Sequence, residues 1–497
     1  MALSISGDNS GNSPFHIQPL SLLHEISMLI TLICTQVLVM ACLAQAIFAG
    51  GVITQDFATS CSQGNWGPAA YGLTSGAFML PAGRIGDIYG HRQCYIGAWT
   101  GLSIASLLAG ISVYSHSFIF YAITRGLQGM ATAMLLPCAL AILGSVYREG
   151  PRKNLVFSLF AAGSPTGFTL GGIFSGLLVE LAWWPWIFWI TAMISAGLSV
   201  IAYGTVPSAA HAASDADPQP DVTGPTFDWT GTLVGVSGLL LFNVAWNQAP
   251  SVGWNSATCI TLATLGFVLI LLFPFIERRA QQPLIPISRL STESGFVLIV
   301  IALSWSSFGI LTFYLTRFLT DIRHATPLNA AAQFIPVPIA GCIASYLNSF
   351  LLHRGASPVN VLAFSCIWFT VGAALLATLP IHQSFWVQVF WIQVLAPLGI
   401  DLSFPSATLL ISELVPRNQL GVAASLIATT VYYSQSIGLG IAGTVEAYVA
   451  DDELLQGYRG AAYTGIGLSG MGLVVALGAV LRACALGKSR ESKEMVV

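Results

Sequence analysis

The chain has 497 residues, of which 55% are hydrophobic and only 8% charged, with a formal net charge of −3. Soluble domains carry about 25% charged residues, so 18 basic and 21 acidic side chains are too few to cover a water-soluble protein of this length. The composition points to a polytopic membrane protein, and the acidic balance without a basic cluster argues against nucleic-acid partners.

Residues 1–26 read as an N-terminal tail. The first apolar run, 27–50, is too long for a signal-peptide core and reads as a span that stays in the bilayer. A span needs about 20 mostly apolar residues, and thirteen more runs of that kind follow. They lie at 67–86, 93–113, 118–146, 155–179 and 184–206, then at 229–248, 256–276, 295–318, 326–351, 358–379, 384–411, 419–443 and 461–486. They are too long and too evenly apolar for β-barrel strands, so the expected fold is all-α with fourteen spans. A polar, Pro- and Asp-containing stretch, HAASDADPQPDVTGPTFD at 211–228, interrupts the series. The organisation expected is a six-helix half (27–206), a linker (207–228), two extra spans (229–276), a loop (277–294), a second six-helix half (295–486) and a tail (487–497). Two such halves are a common transporter plan, with the substrate between them near the midplane.

Basic residues set the orientation. With the N-terminus inside the cell, fourteen of the eighteen Lys and Arg fall on the cytoplasmic side. Three, Arg317, Arg323 and Arg459, fall outside, and Arg125 lies within a span. Both ends of the chain and the 207–228 linker are thus expected in the cytoplasm.

The motifs come in chain order. In span 1, the stretch LVMACLAQAIFAGG (38–51) carries only Gln45 as a polar side chain. Between spans 2 and 3 the chain reads AGRIGDIYGHRQ (82–93). Gly83, Gly86 and Gly90 permit a sharp turn and close backbone approach. Asp87 and Arg92 can each meet a helix end or a partner charge. In span 4, RGLQG (125–129) sets Arg125 and Gln128 on one helix face. An arginine in a span costs roughly 2.5–3.5 kcal/mol on insertion scales and normally faces a cavity or backbone carbonyls. In span 5, AGSPTGFTLGGIFSG (162–176) places Gly163, Gly167 and Gly171 four residues apart, with Gly172 and Gly176 continuing the spacing. This is a small-residue stripe for close helix contact, and Pro165 permits a kink. WWPWIFWI (183–190) reads chiefly as an interfacial aromatic belt. In span 12, GIDLSFPSATLL (399–410) carries Asp401, the one acidic residue set deep in a span of the second half. Such a group is a functional candidate by default: it can alternate between protonated and charged forms, or pair with Arg125 across the halves. Trp305, Gln393, Tyr432 and Tyr433, with Gln45, are candidates to line a cavity. The nine cysteines show no metal-ligand spacing and read as small apolar residues.

These motifs carry a family resemblance. GRIGDIYGHR resembles the loop signature G-x-x-x-D-x-x-G-x-R/K of the major facilitator superfamily, matching at Gly83, Asp87, Gly90 and Arg92. In that family the loop takes part in the gating switch between open states. Ile88 stands where a basic residue often follows the aspartate. RGLQG resembles the family's span-4 signature R-x-x-Q-G, which implies proton coupling or substrate contact for Arg125 and Gln128. The glycine-rich span 5 resembles the signature of the family's antiporters, with Gly163-Ser164-Pro165 a displaced form of its Gly-Pro. WWPWIFWI resembles W-R-W-x-F-x-I, with Trp184 or Pro185 at the arginine position. The fourteen-span count is that of the family's drug:proton antiporters, many of which have an aspartate in span 1. Gln45 replaces it here, which disfavours a broad organic-cation pump. CLAQAIFAGG (42–51), FDWTGTLVGVSGLLLFNVAWNQ (227–248) and GIDLSFPSATLLISELVP (399–416) resemble a fungal subgroup related to the aminotriazole-resistance transporters, over about residues 30–485.

The resemblance implies an exporter of a drug, toxin, metabolite or small inorganic acid, working by proton antiport and alternating access. The partners expected are the lipid bilayer, protons and the substrate. No cofactor is needed beyond the proton gradient, the protein acts as a monomer, and it sits in the plasma membrane or, alternatively, the vacuolar membrane. A proton-independent facilitator or importer of the same fold is the alternative, with a membrane receptor or enzyme more remote. No GxxxxGK[ST] phosphate loop occurs, so ATP drive is not indicated.

Overall fold

The computed structural model describes residues 22–494 apart from 148–149, 208–226, 281–282, 286–290, 415–419 and 451–452. Most of the expected linker, and the loop arginines Arg148, Arg289 and Arg417, lie outside the described residues.

Among the described residues every regular element is helical. Fourteen helices have 18 residues or more and follow the expected spans in order. They are α1 (Leu22–Phe48), α2 (Trp66–Tyr89), α3 (His91–Ile111), α4 (Phe118–Val146), α5 (Pro151–Leu181), α6 (Pro185–Thr205), α7 (Trp229–Val252), α8 (Ala257–Glu277), α9 (Thr292–Arg317), α10 (Pro336–His353), α11 (Pro358–Ala377), α12 (Val389–Leu414), α13 (Leu420–Val449) and α14 (Leu454–Glu494). Twelve spans among the described residues are long and apolar enough to cross a membrane. The remaining two long helices, α2 and α13, pack on each other across the two halves.

Lipid tails are as apolar as leucine, so small residues and backbone approach decide which helices meet. The glycine stripe of α5 packs on α1 within the N-terminal half. A Cβ at Gly167 would lie 2.2 Å from the Val37 carbonyl oxygen, and one at Gly171 would lie 2.4 Å from Ala41 Cα. Farther along α5 the contact crosses to the other half, where a Cβ at Gly176 would meet Leu328 Cα at 2.6 Å. The second crossing is between α2 and α13. Positions for a Cβ at Gly72, Gly76 and Gly83 fall 3.5 Å from Ser436 Cβ, 2.5 Å from the Tyr433 backbone nitrogen and 3.1 Å from Ser425 Oγ. The Ser436 hydroxyl also donates to the Ala69 carbonyl at 2.9 Å.

The extra pair, α7 and α8, docks on this second seam. Trp66 of α2 donates to Gln248 of α7 at 3.1 Å, and Tyr433 of α13 donates to the Leu239 carbonyl of α7 at 3.0 Å. Asn247 Nδ2 donates to the Ser436 carbonyl at 3.3 Å and to Asn243 Oδ1 at 2.7 Å. Helix α7 therefore touches both halves.

Several boundaries differ from the sequence reading: α1 begins at Leu22, inside the expected tail, and α14 runs from Leu454 to Glu494, through most of the expected 487–497 tail. The tenth span is broken into a short helix, Pro327–Ala332, and α10, because Pro336 starts a new helix after a turn. α12 starts at Val389 rather than 384. α13 continues to Val449 and carries Glu446 inside a helix, so Asp401 is not alone in the second half.

The α2–α13 seam yields a direct test. Gly76→Val puts side-chain atoms where the Tyr433 backbone already is, and overpacking of this kind costs about 1–3 kcal/mol. Gly97→Val is the control, since nothing lies within 4 Å of a Cβ there. A fall in thermal stability for Gly76→Val but not Gly97→Val, read by size-exclusion after heating, is the expected result.

Candidate functional site

A cavity lies where α1, α2, α9 and α13 converge between the halves. Pro68, Gly72, Thr312, Tyr432, Gln435 and Ser436 are among the residues that border it. Its volume is about 20 Å³, room for about one water, so the two halves are closed on each other here. A wider depression of about 500 Å³ opens at the face opposite the 83–92 loop, bordered by Thr326, Leu328, Asn329, Gln333 and Phe385.

Of the five expected cavity residues only Tyr432 borders the central cavity. Tyr433 is the next residue along α13 and is turned toward α7. Gln45 is completely buried between α1 and α6, where Nε2 donates to Thr191 Oγ1 at 2.9 Å. Trp305 packs against Phe308 and Phe369 and donates to Ser403 of α12 at 3.2 Å, inside the C-terminal half. Gln393 is buried in α12, and its Nε2 has no hydrogen-bond partner among the described residues. Gln45, Trp305 and Tyr433 thus spend their polar atoms on helix–helix contacts.

Arg125 is completely buried in α4. Its guanidinium donates to the Cys42 carbonyl of α1 at 2.5 Å, to the Gly67 carbonyl of α2 at 3.4 Å, and to Gln128 Oε1. It stacks on Tyr71 and Phe188, with its central carbon 4.9 and 5.6 Å from the ring centres. Gln128 passes the chain on to Ser106 of α3 at 2.7 Å. The forked guanidinium thus ties α4 to α1 and α2 and stacks on α6, and Gln128 extends the network to α3. The alternative in which Asp401 pairs with Arg125 is not what the structure has: among the described residues the Arg125 contacts lie in the N-terminal half, and carbonyls and Gln128 rather than a carboxylate satisfy it.

Asp401 sits in α12 opposite a gap in α10. A Cβ at Gly341 would lie 3.1 Å from Asp401 Oδ2 and 3.1 Å from the Pro165 ring of α5. Among the described residues Asp401 makes no hydrogen bond or ion pair. It is thus a carboxyl at the contact between the halves, without a partner of its own.

The 83–92 loop has a division of labour. Gly90 takes φ +93° in the turn between α2 and α3, a conformation that favours glycine. Asp87 lies 3.3 Å from Nε2 of His91, not near Arg92. Arg92 donates to the Val206 and Tyr203 carbonyls at 2.7 and 2.6 Å and stacks on the Tyr203 ring. A cation at the last carbonyls of α6 complements the negative end of its dipole. Gly83, against Ser425, is the member of the motif that meets the other half.

Sequence reasoning missed Glu446. Its Oε2 accepts from Tyr314 Oη at 2.6 Å, beside an Arg317–Asp321 ion pair of 3.0 Å, and Tyr458 donates to Asp321 at 2.6 Å. The signal was the apolar sequence on both sides, GIAGTVEAYVA at 440–450. The aromatic run is also more than an interfacial belt. Trp184 is buried and donates to Asp56 at 2.7 Å, whereas Trp183 and Trp186 are exposed.

Comparison with known proteins accords with this architecture. The family model of the Major Facilitator Superfamily matches residues 31–439. A low affinity ammonium transporter of Saccharomyces cerevisiae is 45% identical over 93% of this chain and 90% of its own. The efflux pump terJ of Aspergillus terreus is 38% identical over 93% and 89%. The aminotriazole resistance protein of Saccharomyces cerevisiae is 36% identical over 91% and 83%. Among solved structures, the nucleoside transporter NupG superposes with TM-score 0.64 at 14% identity, covering 92% of this chain and 99% of that one. The peptide transporter POT superposes with TM-score 0.65 at 15% identity, covering 93% and 95%. Helices that pack through glycine, two halves that meet at α2–α13 and α5–α10, and a match across most of its length together place the chain in the major facilitator superfamily: it is a multi-pass membrane transporter and not an enzyme.

Proposed function

We infer that the protein exports a small molecule in exchange for protons, with Asp401 as the carboxyl that carries the proton. The observation that carries this reading is the position of Asp401 at the contact between the halves, without an ion-pair partner among the described residues. A permanently paired carboxylate would be held in one form, whereas this one is free to change. Relatives named as an efflux pump and an aminotriazole resistance protein support the outward direction. The charge count supports cytoplasmic termini, and the plasma membrane is the favoured location over the vacuole. The proton gradient supplies the drive and no cofactor takes part. The cavity is bordered by hydroxyls and an amide, with no charge, which suits a small neutral or weakly charged solute. The protein works as a monomer, since both halves come from one chain.

A second reading is a facilitator or importer of a small cation. The relative named as a low affinity ammonium transporter favours it. Purified protein in vesicles decides between them, with labelled aminotriazole and labelled methylammonium as probes. Antiport predicts that aminotriazole accumulates only against an imposed pH gradient and that a protonophore abolishes it. Equal flux with and without the gradient would overturn the antiport reading.

A further inference from the structure

Helices α7 and α8 pack face to face through glycine. A Cβ at Gly235 would meet the Phe273 ring at 2.8 Å, and one at Gly238 would meet the Ile270 backbone nitrogen at 3.0 Å. The next glycine toward the start of α7, Gly231, opens on two acids instead. A Cβ there would meet both Asp228 Oδ2 and Glu277 Oε1, the latter at 2.5 Å. The two oxygens therefore border one point, with only a missing side chain between them. Asp228 caps the start of α7, and Glu277 is the last residue of α8. Glu277 is 2% exposed. Among the described residues neither of these two buried oxygens has a hydrogen-bond partner. The other oxygen of each acid is occupied. Asp228 Oδ1 accepts from the Gly231 backbone N–H and from the Thr230 hydroxyl, each at 2.8 Å, and Glu277 Oε2 accepts from the Ile285 backbone N–H at 3.1 Å.

Two buried carboxylates so placed repel each other and disfavour the state in which both are charged. One hydrogen between them removes the repulsion and gives each oxygen its missing bond. We propose that Asp228 and Glu277 hold one proton between them, and that this shared proton clamps the start of α7 to the end of α8. A helix N-terminus favours negative charge, so the hydrogen belongs on Glu277 Oε1 and Asp228 Oδ2 accepts it. The clamp closes the base of the inserted pair. Asp228 ends the 207–228 linker from the first half, and Glu277 begins the 277–294 loop to the second. The Trp66–Gln248 bond joins the far end of α7 to the start of α2, so the clamp lies on the side of the 83–92 loop. Asp401 does not enter the interactions of Glu277, and the clamp stands whether or not protons drive export.

Few other ionisable groups face the pair. α7 carries none after Asp228, and α8 has only Cys259, near its far end. Arg278 and Arg279 follow Glu277 and are exposed. Of the helices packed on α7, α2 has Arg84, Asp87 and Tyr89 toward this end, while α13 has Tyr432 and Tyr433 near its middle and Glu446 at its far end. The groups that interact with Glu277 are Asp228 and the backbone at Leu284 and Ile285. The sign follows from linkage. The closed clamp holds one proton more than the parted acids, so its contribution is present in acid and is lost as pH rises. The closed-to-open ratio falls by at most about tenfold per pH unit.

The test uses the full chain in vesicles. Infrared spectra read the hydrogen: wild type is expected to show a carboxylic-acid carbonyl band at about pH 6 that fades by about pH 9, and Glu277→Gln is expected to lack that part of the band. Heating followed by size-exclusion reads the clamp. Wild type is expected to lose thermal stability over the same pH range. Glu277→Gln and Asp228→Asn each supply an amide N–H in place of the shared hydrogen, and asparagine keeps the helix cap. Both are expected to fold and to lose that part of the pH dependence. A band in Glu277→Gln equal to wild type, or an unchanged pH dependence of stability in both variants, would overturn the proposal. So would wild-type protein that shows no such band and loses stability when a divalent-cation chelator is added, since the pair then holds a metal ion instead of a proton.

Discussion

Asp401→Asn is expected to remove gradient-driven export while leaving expression and folding intact. The substitution keeps the size and shape of the side chain and deletes only its ability to gain and lose a proton. One-for-one exchange with protons can accumulate a neutral solute by at most about tenfold per unit of pH gradient, and that ratio is what the variant should lose. Folding is spared because Asp401 makes no hydrogen bond or ion pair among the described residues whose loss would be felt. The measurement is substrate accumulation in vesicles across pH 5–8, beside wild type at equal protein. Export by Asp401→Asn at the wild-type rate throughout would assign Asp401 a purely structural part.

Arg125→Met is expected to act in the opposite way, through stability. The arginine satisfies the Cys42 and Gly67 carbonyls and holds Gln128. Each buried acceptor left unsatisfied costs about 1–3 kcal/mol, although bonds within membranes average nearer about 0.6 kcal/mol. Loss of these bonds and of the stacking on Tyr71 and Phe188 should total on the order of 3 kcal/mol. For a half of this size, that lowers the melting temperature by roughly 6–12 °C. Arg125→Lys should recover little, because one ammonium cannot reproduce a fork that reaches two helices and Gln128 together. Heating purified protein and counting the monodisperse fraction reads the loss. Per folded molecule, the pH profile of export should match wild type. A changed profile in stable Arg125→Met protein would return Arg125 to the proton-coupling role that its motif implies.

The two residues show how far a motif carries. Arg125 and Asp401 are both charges inside spans, and by composition alone each is a functional candidate. Their surroundings separate them. Carbonyls at a helix crossing make Arg125 a tie within one half, and a missing side chain in α10 makes Asp401 a partnerless group between halves. The same holds for the polar residues. Gln45, Trp305 and Tyr433 have the polarity of cavity lining, yet each spends its hydrogen bond on a neighbouring helix. Glu446 escaped notice because a carboxylate was taken as a span end. Tyr314 lies on another helix, 132 positions away in the chain, and it is that partner which allows α13 to continue.

Composition and period, read alone, determined what the lipid enforces: an all-helical chain, fourteen runs of sufficient length, and a basic side. These are local properties, because each span must satisfy its own backbone before it meets any other. The tertiary structure decided what depends on pairs. It set the α5 glycines against α1, laid α7 across the α2–α13 seam, and left Asp401 facing Pro165 through Gly341. A glycine contributes nothing to such a contact except its absence of a side chain, and only the helix that comes to lie beside it gives that absence a consequence.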